Sequence, residues 1–347
     1  MNDNDLNDND LNDNAVHDGA LNDSAVNDNA WENAALDSSY NAAEAASRVI
    51  EACAGVVLGS RNAAVHAMVA LASGGHLLLD DVPGTGKTTF AKVLSDALGL
   101  GTKRLQCTPD LLPGDITGVP VWNPGDGSFS FRAGPVFTNI LLVDEINRAT
   151  PKAQAALLEA MAERQVSVDS VTRQLSDPFL VIATKNPIES VGTYPLPEAQ
   201  LDRFTLCTSL GYPNHADAVR MILQHREPWV PKGPVVTPDD IQALISATSS
   251  VHVSEQLASY VASLVEATRS HAQVFRGASP RAAVLLARSS AAHAVLAGRA
   301  YANADDVKAT MVPCLAHRLE LMPGAKRAGI TPATVIIEVA NKISILQ

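Results

Sequence analysis

Asp81-Val82-Pro83-Gly84-Thr85-Gly86-Lys87-Thr88-Thr89 stands directly after the apolar run Leu77-Leu78-Leu79 and before a helical pattern. Two glycines, a lysine and a hydroxyl at this spacing are the parts of a loop that wraps a phosphate chain. Gly84 and Gly86 allow backbone N–H groups to turn inward, Lys87 sets a positive charge on the β/γ oxygens, and the Thr88 hydroxyl can ligate Mg²⁺. Pro83, Thr85 and Thr89 complete the loop. A bound nucleoside triphosphate is expected. The strict motif has glycine at position 81, where this chain has Asp81. Aspartate tolerates left-handed backbone, but it is expected to add negative charge near the phosphates.

A second chemical pair closes the run Ile140-Leu141-Leu142-Val143-Asp144-Glu145. Open α/β sheets present ligands at the carboxyl ends of their strands, where these two acids would stand. Asp144 can hold Mg²⁺ directly or through water, and Glu145 can orient and deprotonate an attacking water.

These groups need a scaffold, and short apolar runs supply one. Gly75 to Leu79, Lys103 to Cys107, Asn139 to Val143, Pro178 to Ala183 and Phe204 to Ser209 read as strands. Their near-continuous hydrophobicity suits a parallel sheet of five strands covered on both faces. Lys87 to Leu98 and Pro151 to Arg164 are expected as covering helices, preceded by helices at Ala42 to Cys53 and Asn62 to Leu71. Two segments interrupt the alternation, Gly118 to Val136 and the hairpin-like Val166 to Leu175. Beyond Pro231 amphipathic helices dominate, at Pro238 to Ser249, Glu255 to Ser270, Pro280 to Ala297 and Ala304 to Ala316. The expected class is α/β, with a core over residues 41–230 and a small all-α domain over 231–347.

Residues 1–47 contain eleven acids and no Lys or Arg, so the other 26 acids balance all 26 basic residues and the net charge of −11 belongs to this tail. A neutral body gives no support to nucleic-acid binding. Leu6, Leu11, Val16, Leu21, Val26, Trp31 and Leu36 recur every five residues. That spacing winds around a helix without forming a stripe, so residues 1–40 are expected to be a disordered Asn/Asp-rich tail. No signal-like or membrane-length apolar run occurs, and a cytoplasmic protein without membrane insertion is expected. Cys53, Cys107, Cys207 and Cys314 are widely separated and read as reduced thiols.

At several blocks the chain resembles the MoxR family of AAA+ ATPases. They include Leu78 to Gly84, Thr108 to Asp115, Phe131 to Pro135, Leu142 to Ala149, Gln154 to Met161 and Tyr194 to Phe204. The resemblance implies ATP and Mg²⁺ as ligands, an AAA+ P-loop core followed by a helical lid domain, and a hexamer. It also implies roles for single residues. Asn186 corresponds to the first sensor beside Glu145, although Lys185 replaces the usual glutamine. Arg203 corresponds to a finger that reaches the neighbouring subunit's nucleotide, and Arg281 to a second sensor. Arg148 faces the same sheet edge, and Val57 and Gly59 correspond to the adenine pocket. The two interrupting segments match pore-side hairpins.

The function so implied is hydrolysis of ATP to remodel or mature protein complexes, with a protein carrying a von Willebrand A domain as one expected partner. A DNA-directed motor and a nucleotide-gated scaffold with slow hydrolysis are the alternatives. Stimulation by single-stranded DNA would favour the first, and absent turnover the second.

Overall fold

Alternate residues of the three central strands enter two different cores. Leu77, Leu79, Ile140, Leu142, Leu180 and Ile182 face one apolar cluster, and Leu78, Leu141, Val143, Val181 and Ala183 face the other. This is the two-sided burial that continuous apolar strands require. Each fully buried leucine here contributes about 1.5–3 kcal/mol relative to an exposed one.

The computed structural model describes residues 23–82, 84–125, 127–186, 193–224 and 230–343. In chain order the first part comprises α1 (Asp23–Val56), α2 (Arg61–Ala72), β1 (Leu77–Asp80), α3 (Lys87–Leu98), β2 (Thr102–Gln106), α4 (Pro113–Thr117), β3 (Gly118–Asn123), β4 (Ser128–Ala133) and β5 (Ile140–Asp144). A 3₁₀ turn, Ile146–Arg148, then leads into α5 (Pro151–Glu163), β6 (Gln165–Val168), β7 (Val171–Gln174), β8 (Leu180–Lys185), α6 (Glu198–Leu201), β9 (Leu206–Thr208) and α7 (His215–Gln224). The five-stranded sheet has the order β2-β5-β8-β1-β9. All its pairings are parallel, with Leu77 opposite both Ile182 and Leu206. The segments expected to interrupt the alternation are antiparallel hairpins, β3–β4 and β6–β7.

The C-terminal part contains α8 (Pro238–Ser250), α9 (Glu255–Ser270), β10 (Val274–Arg276), α10 (Pro280–Leu296), α11 (Ala304–Leu315), β11 (Glu320–Leu321), α12 (Pro323–Arg327) and α13 (Pro332–Lys342). It is helical as expected, with one addition, the short antiparallel ribbon β10–β11. Local chemistry sets its helix starts. Thr237 caps α8 in a reciprocal box with Asp240, and Ser279 caps α10 by accepting from Ala282 N at 3.2 Å.

One expectation is corrected at the N-terminus. Helix α1 begins at Asp23, so residues 23–40 are helical and not the disordered segment anticipated; residues 1–22 lie outside the described residues. The physical reason is propensity. No proline or glycine stands between Asp23 and Ala54, and alanine recurs throughout. The C-terminal half of α1 packs Ala42, Ala45, Ala46, Val49, Ile50 and Cys53 into the core. Cys53, Cys107 and Cys314 are buried free thiols, and burial pushes Cys53 up to about 12. Among the described residues no helix is long and apolar enough to cross a membrane.

Candidate active site

Because the sheet is parallel, the segments after β1, β5 and β8 emerge at one edge. There they line a cavity of about 380 Å³ that gathers Gly84, Gly86, Lys87, Thr88, Thr89, Asp144, Glu145 and Asn186. Gly84 and Gly86 have φ of 82° and 88°, the left-handed region in which a side chain is strained. Lys87 opens α3, and its Nζ donates to the carbonyls of Asp81 and Val82 at 2.9 and 2.7 Å. The Thr85 hydroxyl donates to Val82 O at 3.3 Å, tightening the loop. Pro83 lies outside the described residues. Val57 packs beside the loop, since a Cβ on Gly86 would stand 3.7 Å from its Cγ1, and Gly59 turns the chain there with φ of 85°.

Asp81 does not act as anticipated. Its buried carboxylate turns away from the loop interior and accepts from Val82 N at 2.8 Å, Leu210 N at 2.9 Å and Gly211 N at 3.0 Å. The charge is therefore used to fix the loop to the backbone after β9.

The Thr88 hydroxyl lies 3.5 Å from Asp144 Oδ2, so the two oxygens expected to ligate Mg²⁺ converge. A hydroxyl and a carboxylate are the hard oxygen donors this ion takes, together with water and phosphate oxygens. The same Asp144 oxygen accepts from Arg104 Nε at 2.6 Å. Glu145 is itself left-handed, φ 57°, with its N–H donating to the Thr184 hydroxyl at 2.8 Å. That backbone is unusual for glutamate and turns it from the strand direction into the cavity. Gln106 and Arg148 both donate to Glu145 Oε2 at 3.1 Å. Asn186 is buried at the end of β8, its carbonyl facing Asn147 Nδ2 at 3.4 Å. Lys185 turns instead to Asp80, at 3.2 Å.

Arg203 and Arg281 are elsewhere. They share a second cavity of about 360 Å³ with Arg164, Arg288, His76 and Thr205. Arg203 precedes β9 and His76 precedes β1, so this cavity opens at the amino edge of the sheet. The four residues of β1, at about 3.3 Å each, hold the two cavities roughly 13 Å or more apart. Among the described residues the side chains of Arg203, Arg281 and Arg288 form no ion pair or hydrogen bond. Three such guanidinium groups in one concavity call for an anion.

Arg104, Gln106 and Thr184 were not singled out from the sequence. Arg104 and Gln106 lie two apart on β2 and share a face, in register with Leu142 and Asp144 of β5. A polar pair at that spacing beside a strand ending in Asp-Glu was the available signal.

Two family descriptions match the chain. "ATPase family associated with various cellular activities (AAA)" covers residues 76–206, and "AAA lid domain" covers residues 266–339. The chain is 42% identical to YeaC of Bacillus subtilis (strain 168), covering 84% of this chain and 91% of that protein. It is 37% identical to the chaperone MoxR1 of Mycobacterium tuberculosis, covering 84% and 80%, and 32% identical to the MoxR protein of Paracoccus denitrificans, covering 81% and 91%. A crystal structure of a candidate ATPase from Cytophaga hutchinsonii superposes with a TM-score of 0.83 at 35% identity, covering 91% of this chain and 99% of that one.

Proposed function

The chain belongs to the MoxR family of AAA ATPases, and from that premise we infer that it hydrolyses ATP in a ring whose active sites are completed by the neighbouring subunit. One observation carries this reading. The loop, both acids and Asn186 line one cavity, whereas Arg203 and Arg281 line another at the opposite edge of the sheet. A subunit cannot bring its own arginines to its own loop across β1. A second copy can, and a homo-hexamer is the arrangement we propose.

In this mechanism the N–H groups of the loop and Lys87 hold the β/γ phosphates, and Val57 and Gly59 border the base. Thr88 and Asp144 would hold Mg²⁺, which when bound neutralises charge on the phosphate oxygens. Glu145, released from Gln106 and Arg148, takes the proton of the attacking water. Asn186 orients that water, and the neighbour's Arg203 and Arg281 stabilise charge growing on the transferred phosphoryl group.

We propose that this turnover remodels protein complexes. The β3–β4 hairpin supports a protein client, because Trp122 and Phe129 stack edge to face at 5.0 Å while remaining 50% and 69% exposed. Arg173 of the neighbouring hairpin lies 3.9 Å over Phe131, joining the two hairpins. Aromatic groups of this kind anchor protein interfaces. A protein with a von Willebrand A domain is one such partner to test.

The experiment is ATPase rate against protein concentration, with assembly mass measured in the same buffer. A rate per subunit that rises as rings form supports the reading. A rate independent of assembly overturns its interface half, and stimulation by single-stranded DNA with steep salt dependence would favour a DNA-directed motor.

A further inference from the structure

Asp202 and Arg203 are adjacent, and their side chains are used in opposite ways. Arg203 enters the cationic cavity, whereas Asp202 is gripped from the C-terminal domain. Arg318 Nε donates to Asp202 Oδ1 at 2.8 Å, and the Ser279 hydroxyl donates to Oδ2 at 3.0 Å. The Arg318 side chain is only 3% exposed. Its other N–H groups reach the carbonyls of Phe204 at 2.6 Å, of Asp202 and Thr205 at 3.4 Å, and of Cys314. One guanidinium therefore fixes the backbone on both sides of Arg203. Arg276 adds an ion pair to Glu198 at the start of the same segment.

Ser279 makes the second connection. It caps α10, and Arg281 is the second residue of that helix. The Asp202 carboxylate is thus the joint between the segment carrying Arg203 and the helix carrying Arg281. Among the described residues none of the C-terminal domain lines the loop cavity, whereas Arg281, Leu285 and Arg288 line the cationic one.

We propose that Arg318 and Ser279, acting through Asp202, are positioning residues that hold Arg203 and Arg281 in one rigid frame. The frame presents both guanidinium groups together to the nucleotide of the neighbouring subunit. This rests on the reading that those arginines act across the interface. Lysine cannot replace Arg318, because a single ammonium lacks the planar fork that spans a carboxylate and several carbonyls.

The test is Arg318→Lys in the full-length protein, alone and in an Arg203→Ala background. Alone it is expected to reduce turnover of assembled rings at least tenfold, with ATP affinity in the chain's own site changed less than twofold. In the Arg203→Ala background the further loss should be clearly smaller, at most about threefold, since only Arg281 is left to position. Ser279→Ala should show the same pattern more weakly, and Ser279→Thr, which keeps the hydroxyl, should restore turnover. This second pair decides the matter should Arg318→Lys fail to fold. Equal losses in both backgrounds, or wild-type turnover in the folded variants, would overturn the frame while leaving the interface reading intact. Undiminished turnover in Arg203→Ala itself would overturn both.

Discussion

Arg104 Nε lies 2.6 Å from the Asp144 oxygen that also faces the Thr88 hydroxyl at 3.5 Å. A guanidinium thus stands on one of the two oxygens suited to Mg²⁺. With the guanidinium half exposed, although the carboxylate is buried, the pair is worth on the order of 0.2–1 kcal/mol, and the top of that range corresponds to about a fivefold effect on a competing cation. Arg104→Gln is expected to tighten binding of Mn²⁺, as a probe, to nucleotide-free protein by about two- to fivefold, read by titration of the free-ion resonance. Unchanged Mn²⁺ affinity would show that Arg104 does not compete at this oxygen.

Glu145→Gln should retain ATP and lose about 10²- to 10⁴-fold in turnover, the range of a general base. Equilibrium binding of a fluorescent ATP analogue and single-turnover hydrolysis separate the two quantities. Near-normal turnover would remove Glu145 from the role.

Arg203→Ala should lower turnover by about 10³-fold or more without emptying the chain's own site. Mixed with Glu145→Gln subunits it should regain part of the activity, because each partner supplies what the other lacks. Mixed rings, verified by mass, that stay inactive would sink action across the interface.

Asp81→Gly restores the strict loop motif yet removes the acceptor of three backbone N–H groups. The expected result is a stability loss of about 2–4 kcal/mol in denaturant unfolding, with ATP affinity within about threefold of wild type. Tighter ATP binding at unchanged stability would instead show that the carboxylate repels the phosphates.

His76 is buried, its Nδ1 accepting from Val181 N at 3.1 Å and its Nε2 facing Met161 O at 3.1 Å. Burial pushes it down to about 4, against the Met161 carbonyl, with Arg164 and Arg281 adding to the fall. The unfolded chain takes up this proton near pH 6.5, so the neutral ring's contribution is complete above that value and is lost as pH falls towards 4. His76→Gln should be less stable at pH 7.5 but lose about 1–3 kcal/mol less than wild type on acidification to pH 5. Parallel losses in chemical unfolding would assign the acid sensitivity to other groups.

Strands were legible wherever burial on both faces leaves an unbroken apolar run, as at Leu77–Leu79 and Ile140–Val143. The loop and its acids were legible because each lies within a few residues of such a run. The N-terminal helix was legible over Ala42–Cys53 but not from Asp23 to Asn41, where a five-residue period hides the alanine-driven propensity. Arg104 and Gln106 left only the faint signal of a polar pair two apart: their partners are 40 and 39 residues away, and only the pairing of β2 with β5 unites them. Ser279 caps α10 through a local bond, but its second bond, to Asp202, spans 77 residues and leaves no local trace.

Helix α1 packs against α2 and α3 on the nucleotide-binding side and against α8 and α10 on the other. One continuous apolar cluster accordingly includes Val49, Leu94 and Leu142 together with Leu244, Leu264, Leu286 and Val335. With its interior shared in this way, neither half can lose its packing while the other keeps its own. The subunit should melt in a single cooperative transition, and cutting the chain at residue 41, within this helix, would weaken both halves at once.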